Sequence, residues 1–400
     1  MTQEPRTSPI AYKRLMAAAC VAMIVFGGST CVLSICLRDV GDEFRLSLAD
    51  RGLLGTVRMI ALVTALLASG YFADRLGKRP FLVWGMALIA AASALTARAG
   101  GYASLVVAQG LVGAGSGALE CLVNPLVAQL NPHDAARRLN VVNGLFSVGL
   151  VIAALSTGEM LQAGVQWRIP FWLWVVPAAV GAALLAARHY PSVEGTKPPS
   201  ERLTGFVRNP LFWLLCATIF IGGGVETGMT FWGANYVESE IGASARSGAM
   251  TVAVFGTFMA LGRFASGALL SRVSPVALMI GSAAACAVAT AGLSFVHGLY
   301  AAWAFFALGG LFVACFWPTL IAVGSERIST SSASLFALLA ASGISGCAVF
   351  PWVIGAIGDA SGLRVGVTLM PASMVLQVVI LAACARIITR RSSPQLVSGG

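Results

Sequence analysis

The sequence predicts an all-α, polytopic membrane protein with twelve transmembrane helices, and three observations carry that prediction. Hydrophobic residues make up 58% of the 400 residues and charged ones only 10%, against the roughly 25% charge of soluble domains; mean hydropathy is +0.84. The apolar residues fall into twelve unbroken runs, each long enough for the ~20 residues that cross a hydrocarbon core. Between the sixth and seventh runs lies RHYPSVEGTKPPSERLTGFVRNP, Arg188 to Pro210, whose Pro, Gly, Ser and mixed charge read as a linker dividing six spans from six.

The runs are 14–37, 53–73, 80–98, 103–130, 140–162 and 169–187, then 210–237, 247–270, 274–296, 299–323, 331–357 and 364–388. They are rich in Leu, Ala, Val and Gly and lack the ten-residue alternation of a β-barrel, so helices must satisfy the backbone in lipid. The expected organisation is a segment at 1–13, a bundle at 14–187, a linker at 188–209, a second bundle at 210–388 and a tail at 389–400. Basic residues set the orientation. Arg6, Lys13, Arg14, Arg75, Lys78, Arg79, Arg137, Arg138, Arg188, Lys197, Arg202, Arg208, Arg263, Arg272, Arg327, Arg386, Arg390 and Arg391 fall on one side, against the smaller set Arg38, Arg45, Arg51, Arg98, Arg168, Arg246 and Arg364 on the other. Both termini are expected to be cytoplasmic, in a bacterial inner membrane.

The net charge of +10 sits singly or in short groups at span ends, without the clustered face that nucleic acid requires. The nine cysteines show no paired CxxC spacing and there is no His cluster, so no disulfide framework, metal or cofactor is expected. GLVGAGSG, Gly110 to Gly117, follows no strand and reads as small residues that let helices approach closely. A catalytic Ser in GISG, Gly343 to Gly346, would need a base on another helix, yet His133, His189 and His297 fall in or beside loops. With no GxxxxGK[ST] for a nucleotide, an enzyme is not expected.

The chain repeats itself. SGYFADRLGKRP, Ser69 to Pro80, follows the second span, and GRFASGALLSRVSP, Gly262 to Pro275, follows the eighth as a degenerate copy. Gly70, Asp74, Arg75, Gly77, Lys78 and Arg79 resemble the G-x-x-x-D-R-x-G-K/R-K/R loop of the major facilitator superfamily. Gly77 suits a tight turn, and the basic residues hold the loop on the cytoplasmic side. The resemblance extends to the fucose permease subfamily through Gly117, Glu120, Asn124 and Pro125, through Arg138 to Gly149, through Glu226, Trp232 and Tyr236, through Gly310 to Thr319, and through Pro351 to Asp359. It implies two six-helix bundles around a central cavity that rock to expose a mid-membrane site to either side.

Glu120 lies near mid-membrane, where an ionised carboxylate costs on the order of 2.5–3.5 kcal/mol. It is a candidate proton carrier and sugar hydrogen-bond acceptor; locking to Arg58 as a packing pair is the alternative. Asn124 can read substrate hydroxyls or satisfy nearby backbone, and Asn143 stands where the fucose permease pattern has a glutamine. Glu226, Trp232 and Asn235 share the seventh span, where a ring can stack on a pyranose while polar groups read its hydroxyls. Trp232 and Tyr236 are equally candidates for gating or packing. The pattern's acidic residue in the first span is replaced by Ser34, and Asp39 lies further out. Arg58, apolar in the pattern, can snorkel, pair with Asp39 or Glu120, or bind a substrate carboxylate. The expected function is proton symport of a sugar or sugar-like metabolite by a monomer, with a small-molecule substrate, protons and the lipid bilayer as partners. The alternatives are a proton-antiport exporter of drugs or organic anions and a non-transporting receptor or scaffold.

Overall fold

The computed structural model describes residues 9–131, 135–186, 190, 208–328 and 333–392. His133, His189, most of the expected linker 188–209 and parts of both expected terminal segments lie outside the described residues, as do the side chains of Asp74, Arg137 and Asn140. Among the described residues every regular element is a helix. These are α1 (Pro9–Ile35), α2 (Leu37–Phe44), α3 (Leu48–Leu76), α4 (Lys78–Ala97), α5 (Tyr102–Leu130), α6 (Ala135–Gln162) and α7 (Arg168–Leu185). The second half has α8 (Pro210–Glu240), α9 (Ala245–Leu269), α10 (Pro275–Leu293), α11 (Leu299–Val313), α12 (Phe316–Arg327), α13 (Ala333–Ser361), α14 (Leu363–Gly366) and α15 (Leu369–Ser392). They supply 12 stretches long and apolar enough to cross a membrane, close to the twelve runs read from the sequence.

Three departures have local causes. α2, in the sequence LRDVGDEF, turns Leu37 and Val40 inward and its charges outward, an amphipathic turn too polar for a hydropathy reading to include. The tenth span breaks at Ala314–Cys315 because Pro318 has no N–H for the Ala314 carbonyl, and the twelfth breaks at Val367–Thr368 because Pro371 cannot serve Val367. Pro125, Pro177 and Pro351 leave their helices continuous.

The two halves pack by the same scheme. In the first, α1 lies on α6, α3 on α5 and α4 on α7; in the second, α8 lies on α13, α9 on α11 and α10 on α15. These are spans one with five, two with four and three with six in each half. Across the seam α3 meets α13, α6 meets α9 and α1 meets α8.

The α3–α4 turn matches its reading: Gly77 takes φ +79°, which glycine adopts without strain. Beside it, Arg79 Nη2 donates to the Ala186 carbonyl at 2.9 Å, and Arg14 donates to the Leu184 and Ala183 carbonyls at 3.1 and 2.7 Å. Two cations therefore satisfy the orphan carbonyls at the C-terminus of α7, where the macrodipole is negative. Arg75 stacks over Tyr71 at 4.8 Å.

At the opposite end the halves are sealed together. Four N–H groups at the start of α3 have no partner within their helix, and each is satisfied. Ser47 Oγ accepts from Asp50 N at 3.0 Å and Asp50 Oδ2 from Ser47 N at 3.3 Å, a reciprocal capping box, while Leu48 N and Ala49 N donate to Asp359 of α13 at 2.6 and 2.8 Å. A carboxylate from the second half thus caps a helix of the first. Close approach of α3 and α13 rests on glycine: a Cβ at Gly52 would overlap the Pro351 carbonyl, and one at Gly355 the Leu48 carbonyl. Thr56 Oγ1 donates to Ala348 O, Arg38 to Glu238 O at 3.3 Å, and Arg246 pairs with Glu159. Nearby, Glu43 of α2 accepts from both Arg168 Nη atoms at 2.7 Å and from Trp167 Nε1 at 2.6 Å, which holds its carboxyl below the usual carboxylate range.

Losing the cap in Asp359→Ala should cost about 1–2 kcal/mol of seal stability, a roughly tenfold shift toward the parted state. Hydrogen exchange at Leu48 and Ala49 should rise by that factor; unchanged protection would show that the cap does not hold the seal. Glu43, with its lowered value, contributes stability present above the unfolded carboxylate pKa of about 4.3 and lost as pH falls through the folded value. Glu43→Gln should therefore lower the unfolding temperature at neutral pH, and the gap to wild type should close below about pH 4. The effect should stay under about 1 kcal/mol, because the side chain is 41% exposed and screened.

Candidate functional site

Between the halves lies a cavity of about 620 Å³, within the range that encloses one small molecule. Its walls are helical stripes. Met23, Phe26, Thr30 and Ser34 recur at three- and four-residue spacing on α1, as do Asn143, Phe146 and Leu150 on α6. Glu226, Thr227, Thr230 and Phe231 face it from α8, Met259 and Arg263 from α9, and Trp317 and Cys347 from α12 and α13. Arg58 of α3 and Glu120 of α5 complete it. Those two helices are drawn together by the glycine run of α5: a Cβ at Gly113 would overlap the Arg58 carbonyl and one at Gly117 the Leu62 carbonyl.

Glu120 is solvent-accessible and lines this space. It is not locked to Arg58; the opposite charge facing it is Arg263 of the other half. Arg263 also reaches Glu226 Oε1 at 3.9 Å, so one guanidinium serves two carboxylates, one from each half. Arg263 corrects the charge reading above, which counted it among the cytoplasmic basic residues. It stands inside α9, and the signal that could have found it was its place within the apolar run 247–270.

Arg58 is 4% exposed, donates from Nη1 to Thr30 O at 2.7 Å, and has a buried Nε without a hydrogen-bond partner. Neither snorkelling nor pairing with Asp39 or Glu120 describes it: among the described residues it forms no ion pair. Asn143 lines the cavity and Asn124 stands behind it, Asn124 Oδ1 accepting from Asn143 Nδ2 at 3.0 Å; the same Nδ2 donates to Leu139 O.

The remaining expectations for the seventh span move elsewhere. Trp232 is 1% exposed and donates from Nε1 to Pro351 O at 3.0 Å, tying α8 to α13 behind the wall instead of stacking on a substrate. Its neighbour Phe231, edge-on to it at 5.5 Å, is the ring that faces the cavity, together with Phe26 and Trp317. Asn235 is 2% exposed with both amide atoms unpaired, outside the cavity lining. Tyr236 is buried with its hydroxyl on Leu293 O, a packing role.

The family model of the Major Facilitator Superfamily matches residues 17–333, and the chain belongs to that family. Over 293 residues it is 25% identical to a cis,cis-muconate transport protein of Acinetobacter baylyi, covering 68% of this chain and 69% of that one. Its fold is similar to that of a bacterial homologue of the human lysosomal transporter Spinster, inward-facing and occupied, with a TM-score of 0.79 at 18% identity over 97% of this chain and 98% of that one. The transporter FucP in its outward conformation gives 0.64 at 18% identity over 94% and 99%. The chain is a multi-pass membrane protein and a secondary transporter of small metabolites, not an enzyme.

Arg263→Gln leaves two carboxylates facing each other with no cation between them, and transport should fall by about tenfold or more, the scale on which one lost partner exposes a buried charge. Arg263→Lys should recover part of that loss. Initial-rate uptake into vesicles checks both, and full activity in Arg263→Gln would remove this arginine from the site.

Proposed function

We propose that the chain imports a small polar metabolite, a sugar or sugar-like molecule, across a bacterial inner membrane by alternating access with proton symport. The observation that carries this reading is the charge cluster of Glu120, Arg263 and Glu226. Two carboxylates share one cation in a water-accessible space at mid-membrane, so one of them can exchange a proton without stranding a charge in lipid. Glu120 is the carrier, because its counter-charge lies across the seam and changes distance as the halves rock. With the Gly70–Arg79 loop cytoplasmic, the sealed end faces outward and the cavity serves the inside. The resemblance to fucose permease supports a hydroxyl-rich substrate, with Asn143 and Thr230 positioned to read it. Both halves come from one chain and enclose the whole cavity, which fits a working monomer.

A second reading, transport of an organic anion in either direction, is favoured by Arg58 and by the muconate transport protein among the relatives.

In proteoliposomes with an inward proton gradient, Glu120→Gln should reduce accumulation of labelled solute to about its equilibrium level while keeping counterflow exchange, because binding and rocking survive when titration is lost. Wild-type accumulation in that variant would overturn the proton role.

A further inference from the structure

Arg58 poses a problem that the chain alone does not solve. Its guanidinium remains charged at any biological pH. It is buried in the cavity wall, one nitrogen is given to a carbonyl, and Nε has nothing to donate to. The carboxylates that share the cavity are both turned to Arg263. The thiols of Cys31 and Cys347 line the same cavity, and a thiol carries no standing negative charge near neutral pH. A buried charge with no ion-pair partner in contact is strongly unfavourable, and the chain keeps this one at the edge of a space large enough for a ligand.

We propose that the counter-charge is the substrate: Arg58 binds a carboxylate of the transported solute, which is a small organic acid such as a sugar acid. This rests on the central cavity being the transport site and narrows the substrate class proposed for it. Arg58 presents its donors as a planar fork that matches a carboxylate. Phe26 and Phe231 supply apolar surface beside it, and Asn143 a polar group for the remainder of the molecule. The charge balance selects a monoanion. Arg58 and Arg263 offset Glu120 and Glu226, so the empty cavity is neutral; one carboxylate leaves it one negative charge in excess, and one proton on Glu120 restores neutrality. Substrate and proton thus bind together because each compensates the other, and the loaded transporter carries no net charge across the membrane. The step moves one proton and one carboxylate in the same direction, with no bond made or broken in the solute. Its driving force is the pH difference, with the membrane potential contributing nothing.

The test uses the full chain with matched probes that carry one carboxylate or none: D-galacturonate against D-galactose, and the monomethyl ester of cis,cis-muconate against its dimethyl ester. Binding is read in nanodiscs by tryptophan fluorescence, Trp317 being in the cavity wall. At least one acid should bind about thirtyfold more tightly than its uncharged match, Arg58→Gln should abolish that preference, and Arg58→Lys should keep part of it. Thermal unfolding separates a ligand role from a structural one. Arg58→Gln should unfold at the wild-type temperature or above, since it removes a buried charge that no ion-pair partner contacts, whereas a structural ion pair would make it less stable. In proteoliposomes, uptake of the acid should follow a pH gradient and ignore a potassium-diffusion potential.

The proposal is overturned if the uncharged matches bind as tightly as the acids, if neither acid binds, or if Arg58→Gln keeps the preference for acids. If acids bind through Arg58 while their uptake ignores the pH gradient, proton symport fails and the carboxylate assignment stands. If a pH gradient drives uptake of the neutral sugar and acids never compete, symport stands and this assignment fails.

Discussion

An ionised side chain at mid-membrane must have water or a counter-charge, and that constraint organises the whole molecule. Arg58, Glu120, Glu226 and Arg263 come from four helices in two halves, and all four reach the same cavity. Around them the chain is apolar enough to dissolve in lipid, and its backbone polar groups are satisfied inside helices. The charged set cannot be dispersed over the helices without stranding each member. It has to converge, and convergence requires the halves to leave room for water between them.

That room exists at one depth because the halves are drawn together at another. At the sealed end, glycines at Gly52 and Gly355 bring the α3 and α13 backbones into contact, and the carboxylate of Asp359 completes the N-terminus of α3. These are short-range, directional interactions, lost within a small separation. They give the closed end a definite geometry and leave it breakable, as the proposed rocking requires; a seam of large interlocking side chains would hold more tightly and part less readily. The C-terminal end of α7 is treated differently. Its C-terminal carbonyls are bonded to Arg14 and Arg79 of the same half, so these contacts do not cross the seam.

The sequence reading was strongest where a single residue type answers a single physical demand. Long apolar runs have to be helices, Gly77 has to turn, and Glu120 in the middle of a run has to meet water. It was weaker where the answer depends on which way a helix is rotated. Trp232 and Phe231 are adjacent, so they point in different directions, and nothing in the one-dimensional pattern says which ring faces the cavity. Asn235 is equally a matter of helix phase. The breaks near Ala314 and Val367 were legible in Pro318 and Pro371, four residues on in each case, but hydropathy averages over them. Arg263 was hidden by its neighbourhood, since a basic residue within a copied loop motif reads as a loop charge even when the helix carries it inward.

Division of the charges between the halves ties their electrostatics to motion. Arg58 and Glu120 belong to the first half, Glu226 and Arg263 to the second. The contact between Arg263 and Glu226 lies within the second half and can survive rocking, whereas the attraction between Arg263 and Glu120 crosses the seam and varies with it. In the proton symport proposed for this chain, release of the proton from Glu120 is favoured where Arg263 is near and disfavoured where it withdraws. A ligand seated between the halves adds its own charge to that balance. On that proposal, conformation, protonation and occupancy are linked through one set of four side chains, with no separate relay required.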